Sequence, residues 1–162
     1  MGRPRPGIAR RRREYGMVQS KVTWKDGLAF EAELDGFRFD IDALAEFGGQ
    51  GLGPQPKGLL LTSLVGCTGM DVVAILGKMR LQPTKCDVTA EGDLTEEHPK
   101  RFAQIRVRYE IEGEGMPAKK VARAVRLSED RYCGVRASLA PEIEVVSEVV
   151  LNGEILVSEP AD

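Results

Sequence analysis

Hydrophobic and polar positions follow two different rhythms along the chain. Val18–Trp24 and Leu28–Leu34 are strand-like runs joined by Lys25-Asp26-Gly27, a short hairpin signal. After Asp35-Gly36, the run Phe37-Arg38-Phe39-Asp40-Ile41 alternates apolar and polar side chains, as a half-buried strand does. The three runs predict an antiparallel meander. Residues 42–56 break both rhythms with Gly48-Gly49-Gln50-Gly51 and Pro54-Gln55-Pro56. They read as a loop with room for close backbone approach rather than a linker, because the apolar pattern resumes at once.

From Pro56, suited to a first helical position, Leu60, Leu64, Cys67, Asp71, Ile75 and Met79 fall on nearly one helical face. Leu61, Val65, Val72, Val73 and Leu76 carry apolar character around the rest. The pattern predicts a central helix buried on several sides, against a sheet and a second helix or subunit. Gly66 and Gly69, beside Cys67, each weaken an isolated helix by about 1 kcal/mol relative to Ala. Their expected use is close packing of another backbone near the thiol. Further on, Cys86–Leu94 and Phe102–Ile111 read as strands. A second helix opens at Pro117, with Val121, Ala124, Val125 and Ser128 on one face. It is expected to end near Tyr132-Cys133-Gly134, with Gly134 as a left-handed C-terminal residue. Glu142–Leu151 and Glu154–Val157 form a closing hairpin around Asn152-Gly153, a type I′ signal. Strands interrupted by two helices indicate an α+β fold.

Composition adds bounds. At 162 residues, 42% hydrophobic and 30% charged, the chain fits one globular domain. No apolar run approaches the roughly 18–20 residues that span a bilayer, and no apolar segment of a secretory signal follows the basic N-terminus. Three cysteines without Cys-x-x-Cys spacing argue against a secreted disulfide framework, so the expected compartment is the cytoplasm. Residues 1–16 carry six arginines against Glu14, a charge of +5 that leaves −7 on the remainder of a −2 chain. This stretch is expected to be a disordered basic arm, and Met17, which opens the first strand-like segment, is a candidate native start. The domain proper is then 17–162. Its acidic balance argues against a nucleic-acid partner.

The candidate chemistry is that of thiols. Cys67 lies mid-helix, where the helix dipole gives no help to a thiolate. Asp71, one turn later, would oppose that thiolate if it pointed inward. By residue chemistry alone Cys67 is either a reactive thiol or a small buried hydrophobe, and the same two readings hold for Cys133. Cys86, in a strand pattern, reads as structural. His98 reads as a solvated loop residue. A single histidine and the cysteine spacing give no zinc motif, so no metal is expected. No phosphate-binding glycine loop or dinucleotide fingerprint is present.

Leu59 to Arg80, LLLTSLVGCTGMDVVAILGKMR with its first Leu at 59, followed by LSEDRYCGVRASL from Leu127, resembles the OsmC/Ohr family of organic-hydroperoxide-reducing proteins. The GCTGMDVV wording is closer to its less characterised OsmC-like branch. The resemblance covers roughly residues 18–158. It implies an intertwined homodimer with antiparallel sheets wrapped around central helices, and a thiol-dependent peroxidase without cofactor. Cys67 would be the peroxidatic thiol and Cys133 the resolving one, with a small organic hydroperoxide as substrate and a dithiol as reductant. The family's better-known peroxidases carry a Glu ten residues before the reactive Cys, linked to an upstream Arg. Here Lys57 occupies the Glu position and the nearest upstream arginine is Arg38. Ten helical residues span about 15 Å, so Lys57 of a partner chain is the one that could approach Cys67. Lys57, Arg38 and Asp71 are therefore the candidate activating or cleft residues. The absent Glu/Arg pair favours an alternative, a non-catalytic member binding a small apolar or thiol-bearing ligand at the dimer cleft. Retention of both cysteines favours the peroxidase.

Overall fold

In the computed structural model, which describes residues 18–156, the first three runs pair as β1 (Ser20–Asp26), β2 (Ala29–Leu34) and β3 (Phe37–Ile41). They form an antiparallel sheet in that order, with Trp24 opposite Phe30 and Phe30 opposite Ile41. The basic arm and Val157 lie outside the described residues. The chain forms two compact units, which part after Leu59.

Among the described residues of the first unit the buried hydrophobic residues are Ala29 and Ala32, whereas Val22, Trp24, Leu34, Phe37, Phe39 and Phe47 are exposed. The loop after β3 is held by Asp42, which is 2% exposed. Its carboxylate accepts the N–H groups of Ala43 and Gln50 at 2.8 Å and of Leu52 at 3.3 Å. Those donors, that of Gln50 foremost, hold the Asp42 carboxyl below the usual carboxylate range. The glycines are required by close approach: a Cβ on Gly53 would sit 2.0 Å from the Asp40 carbonyl oxygen.

In the second unit β4 (Lys85–Leu94), β5 (Phe102–Glu112), β6 (Glu144–Leu151) and β7 (Glu154–Leu156) form a sheet in that order. Ile105, Val107, Tyr109 and Ile111 alternate into the core, while Arg106 and Arg108 point out to Asp93 and Glu110. The core is closed by α1 (Pro56–Lys78), through Leu64, Val72 and Leu76, and by α2 (Ala118–Leu127), through Val121, Ala124 and Val125. Each large apolar side chain buried here contributes about 1.5–3 kcal/mol. Asn152 and Gly153 turn the last hairpin with φ of 50° and 84°, as a type I′ turn requires.

Three expectations need correction, and one, the second below, is met only in part within the single chain. First, the second sheet is not wholly antiparallel: β5 and β6 run parallel, and α2 makes the crossover that parallel neighbours need. Second, α1 is covered on one stripe (Leu64, Thr68, Val72, Ile75, Leu76), while Leu60, Met70 and Val73 are exposed within the single chain. Third, α1 does reach the length and apolarity of a membrane span, by length and composition alone. Scattered Gly, Thr and Ser residues hide this when only unbroken apolar runs are counted. Fourth, among the described residues of the single chain, neither Gly66 nor Gly69 meets another backbone. A Cβ on Gly69 would lie 3.3 Å from the Val88 side chain, and one on Gly66 would meet nothing within 4 Å.

Candidate active site

The site is assembled from the middle of α1 and the segment after α2. Thr68, next to Cys67, is fully buried and turns its hydroxyl back to the Leu64 carbonyl at 3.0 Å. Cys67 itself is half-buried, and Asp71 follows one helical turn later. The second segment does not end as predicted. Instead of a left-handed Gly134, α2 passes into a π-helical turn, Ser128–Tyr132, closed by the Cys133 N–H on the Ser128 carbonyl at 2.8 Å. Cys133 is extended, and a short helix α3 (Gly134–Ala137) begins behind it. Gly134 is thus the first residue of a new helical turn, and the capping group is Cys133: its Sγ accepts the Arg136 N–H at 3.3 Å.

Ser128, itself fully buried, ties this wide turn to α1. Its hydroxyl lies 3.2 Å from the Asp71 carboxylate, to which it donates, and 3.5 Å from the Thr68 carbonyl. As a result Cys67 Sγ, Cys133 Sγ and a carboxylate oxygen of Asp71 all lie within 4.8 Å of one another. A disulfide requires the sulfurs to close to about 2.05 Å. All three cysteines are free thiols. Cys133 is 3% exposed. Burial, chiefly, pushes its thiol up, and the nearby Cys67 adds to this. The N–H groups of Arg136 and Val135 offset part of the effect.

A second network braces the same turn. Glu129 accepts the Tyr109 hydroxyl at 3.0 Å and the Ser147 hydroxyl at 2.5 Å, joining the turn to β5 and β6. Tyr109 is wholly buried; burial first, and then the Glu129 charge, raise its phenol well above the ordinary range, while the Thr68 side chain and then the Arg136 charge act in the opposite sense.

The fold therefore brings Cys67, Cys133 and Asp71 together. Lys57 lies exposed in the first turn of α1, ten residues ahead of Cys67 on that helix. Arg38 spans the meander, 3.4 Å from Glu31 and 3.0 Å from Glu33. Cys86 lies on β4 with its thiol raised by burial and then by Asp87, and His98 sits in the β4–β5 loop. A concavity of about 330 Å³ over β4–β6 is lined by Glu91, Arg106, Arg108 and Glu148, away from the three site residues. Sequence reasoning missed Ser128 as a donor, Glu129 and Tyr109 as a brace, and Arg136 as the donor to Cys133. Only the last had a local signal, the three-residue spacing of a helix-capping residue and its N–H partner.

The sequence profile of the family described as OsmC-like protein matches residues 48–148. The chain belongs to the OsmC-like family. Among curated relatives, Protein YhfA of Escherichia coli (strain K12) is 32% identical over 130 residues, covering 79% of this chain and 93% of YhfA. A hypothetical protein from Aquifex aeolicus VF5 superposes with a TM-score of 0.71 at 26% identity, over 84% of this chain and 98% of that one. An organic hydroperoxide resistance protein, OsmC, from Legionella pneumophila shares the fold, with a TM-score of 0.66 at 16% identity over 83% and 96% of the two chains.

Proposed function

We propose that this OsmC-like chain is a thiol-dependent peroxidase for organic hydroperoxides, acting in oxidative-stress defence in the cytoplasm. The observation that carries the reading is the convergence of two free thiols and a carboxylate within 4.8 Å, from segments far apart in sequence. The fold shared with an organic hydroperoxide resistance protein supports the substrate class.

Cys67, the less buried thiol, attacks the distal oxygen of R–O–O–H as its thiolate. The O–O bond breaks, the sulfur becomes a sulfenic acid, and R–O⁻ leaves as the alcohol after taking a proton. Asp71, with a carboxylate oxygen within 4.8 Å of Cys67 Sγ, relays through one water the proton that Cys67 loses and returns it to the alkoxide. Cys133 then attacks the sulfenic sulfur, an S–S bond forms and water leaves. An external dithiol restores both thiols by exchange and is itself oxidised. The two electrons come from the thiols and finally from that dithiol, so the cycle closes without a further cofactor.

The working unit in this proposal is a homodimer. A three-stranded sheet whose buried hydrophobic residues are Ala29 and Ala32 needs a cover for Trp24, Phe37 and Phe39, and α1 needs one for Leu60, Met70 and Val73. A second copy, rather than lipid, is supported by Asp71 within α1 and by the stripe of that helix already packed on the sheet. The second copy is also what could bring a Lys57 or Arg38 charge to Cys67.

The test is intact mass after one equivalent of an organic hydroperoxide without reductant, on Cys86→Ser and on the double variant Cys86→Ser, Cys133→Ser. A loss of about 2 Da in the first, and a gain of about 16 Da in the second, is expected for a sulfenic acid resolved by Cys133. Unmodified protein at times when free small thiols are already oxidised would sink the catalytic reading. One observation favours the second reading, a non-catalytic site for a small apolar or thiol-bearing ligand. Lys57 stands where the peroxidases carry Glu.

A further inference from the structure

We propose that the reduced site is also a binding site for one thiophilic divalent cation, of the Zn²⁺ class, held by Cys67, Cys133 and Asp71. This inference concerns the resting thiols and does not depend on peroxide chemistry.

Cys67 and Asp71 stand four residues apart on α1 and so project from one face of the helix. Cys133 reaches them from the other segment, completing a set of two sulfurs and one oxygen that suits Zn²⁺ and not Mg²⁺ or Ca²⁺. Around a tetrahedral ion with Zn–S of about 2.3 Å and Zn–O of about 2.0–2.2 Å, donors sit roughly 3.5–3.8 Å from one another. The donors here are at most 4.8 Å apart, so a contraction of little more than ~1 Å closes the set. The disulfide demands a larger closure than the ion does.

The surroundings are those of a built site rather than a chance meeting of side chains. Ser128, fully buried, donates to the Asp71 carboxylate and fixes its orientation. The Arg136 N–H donates to Cys133 Sγ and would offset charge on a metal-bound thiolate. Three protein ligands leave the fourth tetrahedral position for water or an incoming thiol. Binding converts two thiols to thiolates and releases two protons. Oxidation to the Cys67–Cys133 disulfide removes two of the three donors and expels the ion, so the site is either metal-bound or oxidised, never both.

The test uses the full reduced chain, without peroxide, titrated anaerobically with Cd²⁺ while the thiolate-to-metal charge-transfer band is followed in the ultraviolet. Zn²⁺ affinity follows from competition with a chromophoric chelator. The expected result is one ion per chain, with two thiolates in the band. That band is lost in Cys67→Ser and in Cys133→Ser and is unchanged in Cys86→Ser. Affinity falls at least about tenfold in Asp71→Asn and about tenfold in Ser128→Ala. Wild type carrying the disulfide binds no ion, a comparison that needs no variant to fold. Absence of a one-to-one band, equal affinity in Asp71→Asn, loss of the band in Cys86→Ser, or binding by the oxidised form would each overturn the proposal. Because no peroxide enters, failure of the peroxidase assay leaves this result standing, and the reverse holds too.

Discussion

Removing the hydroxyl of Tyr109 tests whether the brace beneath the π-helical turn is held as described. In Tyr109→Phe the ring stays in the core, and the only group lost is the O–H that donates to Glu129 at 3.0 Å. A hydrogen bond to a charged acceptor contributes about 1.5–3 kcal/mol, and Ser147 still serves Glu129, so the expected loss is about 2 kcal/mol at neutral pH. The pH dependence gives a sharper figure. Burial raises the native Tyr109 phenol well above its ordinary value, so above about pH 10 the unfolded chain ionises this tyrosine and the native protein does not. A group raised in the folded state stabilises fully below its unfolded pKa and loses that contribution as pH rises. Between pH 9 and pH 11 the wild type should therefore lose about 1.4 kcal/mol that Tyr109→Phe, with nothing there to ionise, keeps. Urea unfolding followed by far-UV circular dichroism, at one fixed protomer concentration, measures both proteins at each pH. The gap between them should narrow from about 2 to less than 1 kcal/mol. An equal gap at pH 9 and pH 11 would refute the reading of a phenol kept neutral by burial. A gap under about 0.5 kcal/mol at neutral pH would refute the hydrogen bond itself.

Two other substitutions probe the frame. Asp42→Ala removes the acceptor of three backbone N–H groups and should speed proteolytic nicking of residues 42–53. In the wild type the same nicking should rise as pH falls below about 4, because a carboxyl held low in the folded state stabilises above its unfolded pKa and loses that contribution under acid; an acid-insensitive loop would contradict this. Gly92→Ala places a Cβ 2.5 Å from the Phe102 ring and should cost about 1–3 kcal/mol by urea unfolding, with an unchanged stability showing that the ring is free to move aside.

Much of the fold was legible because the signals are local. Alternation in 37–41 and the Asn152-Gly153 turn specify their elements within a few residues, and the structure has them where the pattern puts them. The pattern puts 60, 64, 67, 71, 75 and 79 on one face of α1, whereas the stripe buried within the single chain is 64, 68, 72, 75 and 76. Apolar letters surround the helix, and hydrophobicity alone does not say which face the same chain covers. Glycine after a helix favours the left-handed region, which makes Gly134 the expected cap; Ser128 instead widens the last turn through its bonds to α1, so the chain leaves before Gly134 is reached.

By itself the sequence determined most of the elements, their order, the α+β class and the two cysteine motifs on which the family resemblance rests. Each depends on side-chain period, turn chemistry or short wording, and these act between residues a few positions apart. Tertiary structure decided the parallel pairing of β5 with β6, the brace of Tyr109 on Glu129, and the meeting of Cys67, Asp71 and Cys133 within 4.8 Å. Those contacts join segments brought near only when α1 and α2 bury their apolar stripes on one sheet. Burial is non-directional: it rewards covering a stripe without specifying which polar groups are carried in beside it. The partners of the site are fixed by the packed geometry of the whole unit.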